Sequence, residues 1–204
     1  SGRASVIGLV IPSEELRVDP YGASITHAVG RAATRHDLGL MLHLAEEVPG
    51  RTVHHILRDG LIDGLVISAG IPDLEEAVEL IEELNGVGIA YVCFKPGTVE
   101  QIRSVIRIAA ESPTRSVIVH VEGGRAGGHH SWEDLDDLLL TTYSELRSQS
   151  NITICVGGGI GTPERAADYL TGVWSQSHGY PVMPVDGILV GTAAMLWVGG
   201  GIIV

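Results

Sequence analysis

The sequence predicts a parallel α/β fold, and three observations carry that expectation. First, short β-branched runs recur at residues 5–11, 39–44, 64–68, 89–94, 116–121, 151–156 and 186–190. The typical step between their starts, about 25–35 residues, is that of a strand-plus-helix unit. Second, these runs are continuously apolar rather than alternating, the pattern of parallel strands covered on both faces. Third, glycine-bearing turns follow the fifth, sixth and seventh runs directly. The C-terminal ends of parallel strands are where α/β folds place ligands.

The elements between the runs follow in order. A helix is expected over residues 25–36. In the next, over 74–84, Leu74, Ala77, Val78, Ile81 and Leu84 share one face and carboxylates the other. Val99, Ile102, Val105, Ile106 and Ala109 repeat that period. Pro72-Asp73 and Thr162-Pro163-Glu164 are helix starts, with proline near the first turn and an acid at the positive end of the dipole. No linker or low-complexity run interrupts residues 1–204, which read as a single domain. Ser1 and Gly2 read as a tag scar. Residues 196–204 are apolar and carry no charged side chain. Residues 197–204 are therefore expected to be buried as an eighth strand, although Gly199, Gly200 and Gly201 weaken a strand.

Composition excludes several functions. The formal net charge is −12 and no basic cluster appears, which argues against a nucleic-acid surface. Cys93 and Cys155 lie inside predicted strands and read as buried reduced thiols, neither a disulfide framework nor a zinc site. His27, His36, His43, His54 and His55 show no metal-ligand spacing. With no signal peptide and no apolar run of membrane-spanning length, a soluble cytoplasmic protein is expected, with no membrane partner. Oligomeric state is left open.

Gly157, Gly158, Gly159, Gly161 and Thr162 form a turn that can bring backbone N–H groups to an anion, because glycine has no side chain to block the approach. The helix starting near Pro163 points its positive end at the same place, and Gly191 and Thr192 supply further donors. A small phosphate-bearing ligand is the expected partner; a tight turn alone is the plainer alternative. Lys95, just past the fourth run, falls on the same side of the fold. Glu122 is a residue that could orient such a partner. His130 reads as structural or solvent-facing.

From about residue 62 to 195 the sequence resembles the enoyl-reductase barrel of bacterial type I fatty acid synthases. The resemblance rests on Asp63-Gly-Leu-Val-Ile-Ser-Ala-Gly-Ile-Pro72, Phe94-Lys-Pro-Gly-Thr98, Val119-His-Val-Glu-Gly-Gly-Arg-Ala-Gly-Gly-His-His130, Cys155-Val-Gly-Gly-Gly-Ile-Gly-Thr-Pro163 and Asp186-Gly-Ile-Leu-Val-Gly-Thr192. It implies FMN on a TIM barrel, with the phosphate at the two glycine turns; Lys95 could pair with flavin or phosphate or be a surface lysine. It also implies a catalytic proton donor at His129, the histidine that follows Gly127 and Gly128, and an FMN-dependent NAD(P)H oxidoreductase if the chain is active. About residues 5–64 resemble instead the first βαβαβ of the lactose-repressor family, which has the periplasmic-binding-protein fold.

Joined within residues 62–72, the two resemblances imply an engineered chimera with a residual FMN or phosphate site and weak or no turnover. A non-catalytic scaffold and a sugar-binding module are the alternatives. The implied fold is a TIM-like parallel (β/α) barrel of seven strands, closed by residues 197–204 as an eighth. The alternative is an open doubly wound sheet.

Overall fold

The computed structural model describes residues 5–13, 20–45, 62–67, 71–125 and 131–190. The chain divides into two compact units, residues 1–90 and 91–204.

The first unit contains β1 (Val6–Pro12), α1 (Pro20–Arg35), β2 (Gly39–Ala45), β3 (Gly64–Ile67) and α2 (Leu74–Gly86). Its three strands are parallel, in the order β2-β1-β3. β1 takes the centre because Leu9, Val10 and Ile11 are consecutive, apolar and fully buried, as a strand covered on both faces requires. β2 has the weaker pattern of an edge strand, with Leu42 and Leu44 exposed between half-buried Met41 and His43. Gly8 lets β3 approach, since a Cβ there would lie 2.9 Å from Leu65 Cδ1. α2 starts at Asp73, whose carboxylate accepts the Glu76 N–H at 2.9 Å. It buries Ala77, Ile81 and Leu84 as its periodicity predicts, whereas Leu74 is exposed.

This order corrects the barrel expectation for the first unit. Successive barrel strands run 1-2-3, and here β1 lies between β2 and β3, as in an open doubly wound sheet. The long apolar run of β1 pairs on both sides, while β2 pairs among the described strands with β1 alone.

The second unit contains β4 (Tyr91–Phe94), α3 (Val99–Glu111), β5 (Ser116–Glu122), α4 (Leu135–Arg147), β6 (Ile152–Gly157), α5 (Pro163–Thr171), a 3-10 helix (Val173–His178) and β7 (Gly187–Ile188). Its strands are parallel in the order β4-β5-β6-β7. One face of the sheet presents Val117, Val119, Val121, Ile154 and Val156, all fully buried. Ile102, Val105 and Ala109 of α3 and Leu138, Leu139 and Leu146 of α4 are as deeply buried. The opposite face is mixed: Tyr91, Cys93 and Thr153 are exposed, whereas His120, Glu122 and Gly157 are buried toward the C-terminal end. Cys93 is thus not the buried thiol expected. Both cysteines are free, and partial desolvation pushes both thiols up.

Polar pins hold the loops. Asn151 Nδ2 donates to the carbonyls of Ala109, Ser112 and Arg115 at 2.9–3.0 Å, fastening the end of α3 and the turn before β5 to the start of β6. Arg147 pairs with Asp186 at 2.7 Å, and Asp186 accepts the Ile154 N–H at 2.8 Å. Tyr169 donates its hydroxyl to Asp136, which also pairs with Arg165 and lies 3.5 Å from His178 Nε2. Burial and that carboxylate push the Tyr169 phenol up.

The expected runs thus appear as seven described strands, with ends shifted by at most two residues. The expected closing strand at 197–204 lies outside the described residues. Among the described residues no helix is long and apolar enough to cross a membrane.

Replacing Asn151 by Ala should lower unfolding stability by about 1–3 kcal/mol, because part-buried carbonyls lose their donor. Urea denaturation with an unchanged slope would show this; a wild-type midpoint would refute the pinning role.

Candidate functional site

One cluster of polar groups in the second unit lies at the C-terminal ends of β4, β5 and β6. Parallel pairing sets Phe94, the end of β4, opposite Val119, and the ends of β5 and β6 level, with Glu122 opposite Gly157. Lys95, one residue beyond β4, forms an ion pair with Glu122 at the end of β5. Glu122 is nearly buried, and the half-exposed Lys95 neutralises the charge that β5 carries inward. The contact is an ion pair outside hydrogen-bond geometry.

His120 lies two residues earlier on the same side of β5. It is 6% exposed, and its Nε2 has no hydrogen-bond partner. Desolvation lowers its pKa, opposed by Glu122 and reinforced by Lys95, so the imidazole is neutral at pH 7. Gly157 makes room for this ring, because a Cβ there would come within 2.4 Å of Nε2.

The turns beyond the strands interlock through backbone. Gly123 N donates to Gly157 O at 3.0 Å, Glu122 N to Pro96 O at 3.1 Å, and Gly124 N to Glu133 O at 2.8 Å. Gly158 and Gly159 have φ of 97° and 81°, the left-handed region that favours glycine. A Cβ on Gly158 would meet Gly123 O at 2.6 Å, and one on Gly159 would meet Arg125 Cβ at 2.7 Å. Thr162 caps α5 by accepting the Arg165 N–H at 3.2 Å. Arg125 pairs with Asp134, the N-cap of α4, at 3.3 Å.

The residues expected from sequence therefore separate. Lys95 and the turn Gly157, Gly158, Gly159, Gly161 and Thr162 do sit at the strand ends. Three of the glycines serve close packing against His120, Gly123 and Arg125, and the Thr162 hydroxyl is committed to its helix. His129, Gly191 and Thr192 lie outside the described residues. His120 was missed. Its signal was an imidazole inside an otherwise apolar run, on the same strand face as Glu122. Among the described residues no group of three His, Cys, Asp or Glu could hold a metal.

Residues 116–198 match the family model described as fatty acid synthase subunit beta/Fas1-like, helical. The chain is similar to fungal fatty acid synthase beta subunits. It is 47% identical over 135 residues to the fatty acid synthase subunit beta of Schizosaccharomyces pombe, covering 66% of this chain and 6% of that protein. With the subunit of Saccharomyces cerevisiae it is 43% identical over 135 residues, 66% of this chain and 6% of that one. With that of Aspergillus oryzae it is 42% identical over 154 residues, 75% of this chain and 7% of that one. The chain thus spans 6–7% of the length of these relatives. The structure also aligns, at TM-score 0.31 and 10% identity, with a probable maltose operon transcriptional repressor from Staphylococcus. That alignment covers 81% of this chain and 82% of the repressor, at a score too low to assign a shared fold.

These findings correct the functional expectation. A match of 154 residues in a chain of 204 begins no later than residue 51, upstream of the join expected at 62–64. One natural fungal subunit thus accounts for sequence on both sides of that join, and the engineered chimera is overturned. The resemblance to a fatty acid synthase holds at the level of the fungal beta subunit. The matching family model describes a helical beta-subunit segment, not an FMN-binding enoyl-reductase barrel, so the reading as a flavin enzyme with a residual FMN site is withdrawn. In this structure the matched residues alternate strand and helix, from β5 through β7.

The His120 environment makes a pH-dependent prediction. Its folded pKa lies below the ordinary 6.5, so the unfolded chain binds the proton more readily. Stability from neutral His120 is present above pH 6.5 and is lost as pH falls below it. The melting temperature should fall from pH 7 to pH 5, and His120→Gln should flatten that slope. Parallel slopes in the two proteins would show that the ring is not desolvated.

Proposed function

We propose that this chain acts as a segment of a fatty acid synthase beta subunit, its second unit being a packed α/β module built into the larger polypeptide. The observation that carries this reading is the 47% identity over 135 residues with the fission yeast subunit. The geometry of the second unit supports it. Strand order is consecutive, and the β5 and β6 side chains on one face, Val117, Val119, Val121, Ile154 and Val156, are fully buried. Consecutive order supports reading it as part of a (β/α) barrel that neighbouring segments of a longer chain would complete. The C-terminal strand ends are bound by an ion pair and turn-to-turn hydrogen bonds, a rigid support for whatever those neighbours place there.

The test is an exchange. Replacing the matching 135-residue segment of the Saccharomyces cerevisiae subunit by its counterpart from this chain should leave a synthase that assembles and supports growth without added fatty acid. A hybrid that accumulates unassembled, while re-insertion of the native segment restores assembly, would overturn the proposal.

A second reading concerns Gly157, Gly158, Gly159, Gly161, Thr162 and Lys95 as the border of a small-anion site. The glycine conformations and the α5 N-terminus favour it, with Arg125 beside Gly159 as a nearby cation. Titration with millimolar phosphate should shift the amide resonances of residues 158–162 first and saturably. Shifts spread evenly over exposed amides would count against the site.

A further inference from the structure

Charge in the first unit is sorted by helix. The chain has 25 acids against 13 lysines and arginines, yet α1 contains no Asp or Glu. Its His27, Arg31 and Arg35 recur every four residues, a rise of about 6 Å per step, and all three are exposed. They lie on the side opposite Ala33, which α1 buries. This face is a shallow, open surface formed by His27, Gly30, Arg31, Thr34 and Arg35 of the one helix. Among the described residues neither Arg31 nor Arg35 has an ion-pair partner.

α2 is the electrostatic complement. It carries five glutamates and no lysine or arginine. Glu75 and Glu79 are exposed, one step of four residues apart, opposite the buried face of Ala77, Ile81 and Leu84. The two ladders have the same rise and opposite sign. Each face lacks the like charge that would repel the other, which is the condition for electrostatic complementarity.

We propose that the basic face of α1 docks the acidic face of α2 of a second copy of this chain. Glu75 and Glu79 of one copy meet Arg31 and Arg35 of the other. A nucleic acid is the poorer occupant, because two arginines in a chain of net charge −12 neutralise too few phosphates.

The test is sedimentation velocity on the 204-residue chain at about 0.1 mM, a concentration suited to the weak association that exposed ion pairs give. The wild type should sediment as a dimer or larger species. Arg31→Glu with Arg35→Glu should be monomeric, as should Glu75→Lys with Glu79→Lys. An equimolar mixture of these two variants should re-form the assembly, because each reversed face then meets its opposite. The milder pair Arg31→Gln with Arg35→Gln should weaken association about tenfold or more. A monomeric wild type, a charge-reversed variant that keeps the wild-type distribution, or a glutamine pair with wild-type affinity would overturn the proposal. So would a mixture of folded variants that stays monomeric.

Discussion

The second unit depends on the contact between the His120 ring and Gly157. β5 must send Val117, Val119 and Val121 to the helix-covered face, so strand geometry fixes Ile118, His120 and Glu122 on the other. The imidazole then lies under the end of β6, and the pairing of Glu122 with Gly157 survives only because residue 157 has no side chain. From that contact the rest follows. Gly123 and Gly157 share a backbone bond, Gly158 crosses Gly123, and Gly159 rests on Arg125. A glycine run that reads as a ligand cradle is, in its observed packing, the means by which two strand-end turns cross.

The two units solve the edge problem differently. In the first, a wholly apolar strand is sandwiched between two neighbours, and the outer strand β2 exposes Leu42 and Leu44. In the second, four strands follow one another in sequence order, and burial is concentrated on the face that the helices cover.

Much of the fold was legible in the sequence because strand and helix signals are local. β-branched runs located the seven strands, and Pro72-Asp73 and Thr162-Pro163-Glu164 marked two helix starts, where Asp73 and Thr162 prove to be the caps. Strand order was not legible, since whether β1 pairs once or twice is decided by contacts between segments distant in sequence. The candidate site was half legible. Lys95 stood out as a cation at a strand end, but its commitment to Glu122 depends on the β4–β5 register. His120 escaped notice because a lone polar residue in an apolar run resembles an exposed strand position until its neighbours are known. The glycine turn pointed to the right place with an incomplete reason, because local sequence cannot distinguish glycine kept for a ligand from glycine kept for another backbone.

The single amide of Asn151 has a consequence for where this architecture can accept change. By gathering carbonyls from residues 109, 112 and 115, it makes the α3–β5 connection a segment of fixed length. An added or missing residue there would break the bonds and slide β5 against β6, turning valines away from the core. The loop around Gly179, Tyr180 and Pro181 is exposed and lies between the 3-10 helix and β7. Lineages of this fold should therefore vary in length at that loop while holding the short α3–β5 connection constant, and a tag or inserted domain belongs at the former.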